Sequence, residues 1–211
     1  MGYGTPMRIS PLVSSSFRVV ERRIKIFITR SGYDPQRGKH VKDPYLEGEP
    51  SLGACRPDVR KQLKPGDYIF TISGKVKGVD QFVMGGFEVD RKIHAKEALK
   101  EYPERQLHLR PDGQLTGNVV IDDEGRKHPL DQHKEKTFER RLSDYIVGKN
   151  PIVLVTDEEI QRGRETTMEA LQEIMKKKGK TPTDVISRFG KTLTEKQALQ
   201  FRDWLRSLKT A

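Results

Sequence analysis

The stretch "SLGACRPDVRKQLKPGDYIFTISG", Ser51–Gly74, contains a predicted short helix, a turn and a strand in immediate succession. Pro57 stands in the first turn of the predicted helix, where a missing backbone N–H costs nothing. Pro65–Asp67, "PGD", predicts a turn because proline and glycine supply the backbone angles that turns require. Tyr68–Gly74 is rich in aromatic and β-branched residues and predicts a strand directly after the turn. The stretch therefore predicts that the chain passes from a short helix through a turn into one strand of a β-sheet.

Two further segments predict strands beside it. Arg23–Arg30 alternates isoleucine with polar residues, which is the pattern of a half-buried strand. Gly78–Ile93 predicts a strand that forms a hairpin with Tyr68–Gly74 across the turn "KVKG". Gly85-Gly86 interrupts this strand and indicates a bulge or a close approach of two backbones. A helix and two shorter strands are predicted at His94–Pro103, Asn118–Ile121 and Pro151–Val155.

The pattern changes from strand to helix after Val155. Thr156 with Glu159, and Thr194 with Gln197, match the capping box that opens helices. We therefore predict a β-rich domain over residues 1–155 and a helical C-terminal tail over residues 156–211. The last two helices of the tail have the spacing of a helix-turn-helix, but acidic residues in the second helix favour a helical hairpin that packs on the body or on a protein partner.

The composition favours a polyanionic partner. The net charge is +10, and a basic excess of this size is typical of proteins that bind nucleic acid. The excess is spread along the chain: residues 1–155 hold 28 basic and 21 acidic residues, and the tail holds 12 and 9. A soluble basic protein without such a partner is the alternative.

Several classes of protein are not expected. The chain has no apolar run of 18 residues and no apolar core near its N-terminus, so we expect no membrane span and no signal peptide. The single cysteine excludes an internal disulfide and a cysteine zinc site. The aspartates and histidines of residues 122–133 lack the spacing of a metal motif and predict a polar loop. We expect a cytoplasmic protein with no metal and no cofactor.

Cys55 is the first candidate for chemistry. Arg56 and Arg60 could lower the pKa of its thiol and make it a nucleophile. No histidine forms a recognisable pair with it in the sequence, so a buried, inert thiol is the stronger expectation. Asp67 is a second weak candidate for a catalytic group.

The candidate binding residues lie around the long loop Ser31–Gly53. Arginine offers a planar set of donors that suits phosphate groups and guanine. Aromatic residues of the loop could stack on bases. A solvated surface helix is the alternative explanation for the basic residues after Cys55. The candidates for contact with nucleic acid are Arg30, Tyr33, Arg37, Lys39, Arg56, Arg60 and Lys61.

The order of several short motifs resembles a known family, the nucleotide modification associated domains of bacteria and their phages, in its second and third numbered groups. The resemblance covers about residues 23–155. It rests on "SGYDP", "LGACRPDVR", "KPGDYIFTISG", "FVMGGFEVDRKI", "GQLTGNVVI" and "RLSDYIVGKNPIVL". The loop "QRGKHVKDPYLEGEP" is longer and more basic than the family pattern, and Arg56 replaces a lysine. The resemblance implies a nucleic-acid or nucleotide context and does not imply a particular reaction.

These observations predict an α+β fold and a binding function. We expect a strongly bent mixed sheet, or a barrel similar to PUA and EVE domains, with peripheral helices and a helical C-terminal appendage. We expect a module that binds nucleic acid, with modified bases as one target, in DNA modification or phage defence. Two alternatives stay open: an enzyme of nucleotide or base modification, and an adaptor that binds a protein partner through its C-terminal helices.

Overall fold

The computed structural model describes Met1 and residues 22–210. The described residues form a mixed α+β fold around a six-stranded mixed sheet. The expectation about a signal peptide concerns mainly residues 2–21, which lie outside the described residues. The strands are β1 (Ile24–Gly32), β2 (Ser51–Leu52), β3 (Tyr68–Gly74), β4 (Val83–Ile93), β5 (His108–Leu109), β6 (Leu115–Thr116), β7 (Tyr145–Val153) and β8 (Lys191–Leu193). The α-helices are α1 (Pro57–Gln62), α2 (Ala95–Glu101), α3 (Asp157–Met175), α4 (Pro182–Ile186) and α5 (Glu195–Ser207).

The sheet is open at both ends. Its strand order is β2-β7-β4-β3-β1-β8, and β5 and β6 form a separate two-stranded sheet. β1 and β3 are parallel, with Ile24 opposite Tyr68, and the other pairs are antiparallel. Within residues 22–210 no pairing joins β2 to β8, so the sheet does not close into a barrel. The mixed α+β class is thus confirmed, whereas a barrel similar to PUA or EVE domains is not found.

β3 and β4 form the predicted hairpin. The adjacent glycines Gly85 and Gly86 allow the backbone of β4 to lie close to the neighbouring strands β7 and β3. The pairing register shifts between Val83 and Gly85, and Gly85 lies opposite Thr71 with φ of 153°. A Cβ atom on Gly85 would meet the carbonyl oxygen of Ile152, and one on Gly86 would meet that of Ile69. Only glycine fits such close backbone approaches, so the predicted close approach is confirmed, although β4 continues through both glycines.

Both faces of the sheet are covered. On one face Ile26 and Phe70 pack with Leu171 of α3 and with Phe201 and Leu205 of α5. The opposite face is covered by α1 and its neighbours. Its cluster is Phe27, Leu52, Val59, Leu63, Ile69, Phe87, Val89 and Ile146. A third cluster surrounds α2 and the buried Tyr145.

The segment after Val155 belongs to these layers. The predicted capping boxes at Thr156 and Thr194 open α3 and α5. β8 lies between α4 and α5 and pairs with β1, so these two helices do not form a helix-turn-helix. Glu159 accepts hydrogen bonds from Lys209 Nζ (2.8 Å) and Thr210 N (3.1 Å), which ties the end of the chain to the start of α3.

Several strands differ from the expectation, and the sequence pattern does not predict the two-residue strands β2, β5 and β6. Asn118–Ile121 makes isolated bridges through Val119 and Ile121 and forms no continuous strand. β7 begins at Tyr145, several residues before the predicted Pro151–Val155. β8 was not predicted. Among the helices of the described residues, none combines the length and the apolar character that crossing a membrane requires.

The packing of the segment after Val155 against the sheet predicts that residues 1–155 do not fold independently of it. We expect a chain that ends at Val155 to lose cooperative unfolding or to precipitate, because it would expose Ile26 and Phe70 to water. Each fully buried side chain of this kind contributes about 1.5–3 kcal/mol. Circular dichroism during heating compares the truncated and full chains. A soluble fragment with a cooperative transition near that of the full chain would show that the two segments fold independently.

Candidate functional site

The candidate site is a cleft of about 1240 Å³ between the end of β1, the start of α1, residues 133–144 and residues 183–189. Six cationic and three acidic side chains line it. The cations are Arg30, Arg56, Lys61, Arg140, Arg141 and Arg188, and the carboxylates are Asp43, Asp58 and Asp144. The cleft is therefore basic, and it brings together residues that lie far apart in the sequence, from Phe27 to Phe189.

Four of these cations are available to a ligand. Arg30, Lys61, Arg140 and Arg188 are exposed. Within residues 22–210 no carboxylate lies at ion-pair distance from any of the four. Unpaired cations on one concave surface create a positive potential that attracts polyanions.

Arg56 lines the cleft but its guanidinium is already engaged. It donates to both carboxylate oxygens of Asp58 at 3.0 and 2.8 Å, and this contact is the main reason that the pKa of Asp58 is lowered. It also donates to the carbonyl oxygen of Phe189 at 2.7 Å and lies 5.0 Å from the ring centre of Phe27. Arg56 thus fixes the loop of Phe189 against the start of α1.

Arg60 is not a surface residue, which corrects the expectation that it contacts nucleic acid. Its side chain is fully buried. It donates to the carbonyl oxygens of Cys55 (3.0 Å), Ser143 (2.6 Å) and Arg141 (3.3 Å). Burial lowers the pKa of this guanidinium, although the charges of Asp43 and Asp144 partly oppose that effect. The role of Arg60 is to hold α1 against the segment that precedes β7.

A second buried network supports the floor of the cleft. Asp43 accepts hydrogen bonds from the backbone N–H of Gly53 (2.8 Å) and of Cys55. Its other partner, Asn118 Nδ2 (3.3 Å), also donates to Ser51 Oγ (2.9 Å). The hydroxyl of Tyr145 donates to Asn118 Oδ1 at 2.8 Å. This network fixes the backbone on either side of the only cysteine.

Cys55 lies at the cleft, but its thiol is held in the protonated form. Burial is the main cause that raises its pKa, and the negative charge of Asp43 adds to it. The nearby cations Lys42 and Arg141 oppose this effect without overcoming it. Because only the thiolate is a good nucleophile, the environment of Cys55 disfavours nucleophilic catalysis.

His133 is the side chain at the cleft that is best placed for proton transfer. Its Nδ1 lies 2.6 Å from Oδ1 of Asp131, whose side chain is completely buried. Burial alone would raise the pKa of Asp131, but the hydrogen bonds and charge of His133 outweigh it and lower that pKa. A carboxylate on Nδ1 fixes the orientation of an imidazole and leaves Nε2 for a ligand. The side chain of His133 is 20% exposed.

The other candidates lie elsewhere. Tyr33 packs against Phe82 with ring centres 5.9 Å apart, and its pKa is raised mainly by burial. Arg37 pairs with the buried Asp34 at 3.4 Å and lines a separate cavity of about 230 Å³. Lys39 is exposed, and its backbone forms an isolated antiparallel β-bridge with that of Asp34. None of these residues lines the cleft.

Asp67 has a structural environment. It is fully buried, and its carboxylate accepts hydrogen bonds from the backbone N–H of Arg23 (2.7 Å) and of Lys64 (2.8 Å). These bonds close the turn that precedes β3. The weak expectation of a catalytic role for Asp67 is corrected, because the side chain does not reach the cleft.

Sequence patterns offer little indication of the remaining cleft residues. Arg141 begins the motif "RLSDYIVGKNPIVL" of the family resemblance, and Arg140 directly precedes it. His133 and Asp131 were noted only as part of a polar loop. Within the described residues, no group of three or more histidine, cysteine or acidic side chains is arranged to hold a metal ion.

Comparisons with models of protein families, with curated proteins and with solved structures found no match to this chain. The site is therefore interpreted from its own geometry.

We expect Cys55→Ser to leave ligand binding within a few-fold of the parent, because the thiol is protonated and a hydroxyl can keep its contact with Asp43. The native thiol should react slowly with an aromatic disulfide reagent at neutral pH. The same protein in concentrated urea is the control and should react at the rate of a free thiol. Rapid labelling of the native protein, together with loss of function in the serine variant, would contradict this expectation and favour a catalytic cysteine.

Proposed function

We propose that the chain binds nucleic acid in the basic cleft. The observation that carries the proposal is the convergence of Arg30, Lys61, Arg140 and Arg188 on one concave surface without acidic partners among the described residues. Each exposed cation can replace a counterion on a phosphate group, and such contacts supply most of the non-specific affinity for nucleic acid.

The size of the cleft supports a polymer as the ligand. Pockets for small molecules occupy roughly 300–1,000 Å³, and this cleft is larger, at about 1240 Å³. Its ring of cations suits a chain of repeated phosphates better than one compact anion, for which fewer charges are needed. Recognition of modified bases, and a context of DNA modification or phage defence, come from the family resemblance and are part of the proposal.

The test removes the four unpaired cations together. We expect a variant with Arg30, Lys61, Arg140 and Arg188 changed to glutamine to bind a labelled oligonucleotide roughly tenfold more weakly or worse. Each lost phosphate contact should also reduce the slope of log K against log salt concentration by about 0.7–0.9. Fluorescence anisotropy at several salt concentrations measures both quantities.

A matched variant separates the cleft from overall charge. Lys100, Lys177, Lys178 and Lys196 are exposed and lie outside the cleft, and changing them to glutamine removes the same charge. We expect this control to keep most of the affinity and the salt slope. If both variants lose the same affinity, binding depends on the overall charge and not on the cleft. If the parent itself does not bind the oligonucleotide, the proposed function is overturned.

A second candidate function is favoured by the pair of His133 and Asp131 at the same cleft. An enzyme that hydrolyses a bond of the bound nucleotide fits these groups. His133 Nε2 would accept a proton from water as the water attacks, and Arg140 or Arg141 would stabilise the negative charge that develops. The bond between the attacked atom and the leaving group then breaks, and His133 returns the proton to the leaving group. This form of the enzyme alternative requires no group beyond water.

Under that alternative we expect parent protein to change the mass of an oligonucleotide during incubation, and we expect His133→Gln to lower the rate by about 100-fold or more. Mass spectrometry of the strand detects cleavage, base release or deamination. Asp131→Asn, a change of a positioning residue, should alter the pH profile of the rate as well as its size. Binding of the strand without any change in mass would leave the binding module as the function.

A further inference from the structure

Phe189 stands at the cleft with 78% of its surface exposed. Isolated exposed apolar residues are common and need no functional explanation. Phe189 differs from Leu199 and Leu109, which are also exposed, because it lines the cleft beside Arg188.

The loop that carries Phe189 is fixed on both sides. Arg56 donates to the Phe189 carbonyl oxygen at 2.7 Å, and Ser187 Oγ donates to the carbonyl oxygen of Gly190 at 3.0 Å. Gly190 has φ of 81°, and a Cβ atom there would meet the backbone oxygen of Ile26 in β1. The backbone therefore holds the aromatic ring toward solvent, where it is pre-organised for a ligand.

The chemistry around the ring indicates the kind of ligand. Cations that contact phosphates recognise any nucleic acid, whereas an exposed aromatic ring adds affinity only where a base is unstacked and can lie against it. Bases inside a duplex keep their faces covered by their neighbours. A basic cleft with an exposed ring therefore favours single-stranded over double-stranded nucleic acid.

We propose that Phe189 is a stacking platform for an unpaired base, so that the cleft binds single-stranded nucleic acid. This inference rests on the proposed function and names its substrate class. Arg188 and Arg30 contact the phosphates of the strand, and Phe189 contacts a base. DNA and RNA share this chemistry, and matched DNA and RNA strands distinguish them in the test.

The experiment measures binding of a labelled mixed-sequence strand of about 12 nucleotides, within the range of roughly 4–16 nucleotides that single-strand binders cover. Phe189→Ala should weaken binding roughly 5- to 150-fold, which is the effect of losing one stacked base. The salt slope should stay unchanged, because no phosphate contact is removed. Phe189→Trp should retain the affinity, whereas Arg188→Gln should lower the salt slope by about 0.7.

Two controls separate stacking from other effects. Leu199→Ala removes a similarly exposed apolar side chain of α5 that does not line the cleft, and it should leave binding unchanged. A strand of the same length with abasic residues throughout keeps the phosphates but offers no base. It should bind more weakly than the normal strand, and Phe189→Ala should weaken its binding no further. The annealed duplex should likewise be insensitive to Phe189→Ala.

The outcomes distinguish this inference from the proposed function. Stacking is overturned, while binding in the cleft survives, if the Phe189→Ala variant binds the normal strand as tightly as the parent does. The same conclusion follows if the variant loses the same factor of affinity for the normal strand, the abasic strand and the duplex. If the parent binds neither strand nor duplex, the proposed function itself is overturned. Unchanged thermal unfolding of Phe189→Ala, expected for an exposed side chain, confirms that a loss of binding is not a loss of fold.

Discussion

The cleft depends on one buried guanidinium. Arg60 is removed from water, and its charge is met by the carbonyl oxygens of Cys55, Arg141 and Ser143 and by the more distant carboxylates of Asp43 and Asp144. A buried charge that loses its partners costs several kcal/mol. The start of α1 and the segment before β7 are therefore held in one arrangement. The exposed cations on these two segments are displayed at fixed positions, which lowers the entropy lost when a ligand binds.

The opposite wall of the cleft comes from the far end of the chain. The loop after α4 reaches the start of α1 through the bond from Arg56 to Phe189, and Gly190 lets the chain turn closely against β1. The family resemblance ends near Val155, so this wall lies outside the part of the chain that the resemblance covers. The segment after Val155 packs on the sheet through buried apolar side chains, and this packing places Arg188 at the cleft.

Local features of the fold were predictable, and distant contacts were not. The capping box at Thr156 and the glycines of β4 depend on residues a few positions apart, so their patterns are visible in the sequence. β8 has only three residues, and its contact between Lys25 and Thr192 spans 167 positions. The same limit applies to the site. Arg56 directly precedes the helix that contains Arg60, yet the buried Arg60 has partners among carbonyl groups more than 80 residues away.

Under the proposed function, the groups at the cleft contribute to recognition in different ways. Cations such as Lys61 provide long-range attraction, which acts on every polyanion and is weakened by salt. An aromatic ring acts only at contact and is insensitive to salt, so Phe189 can supply the selectivity that charge lacks. Neither function requires the imidazole that the buried Asp131 orients. Burying that carboxylate removes a charged group from water and costs free energy. Binding of nucleic acid does not use the hydrogen bond between Asp131 and His133, whereas proton transfer by His133 would use it. This pair is therefore the feature of the cleft that favours a catalytic role.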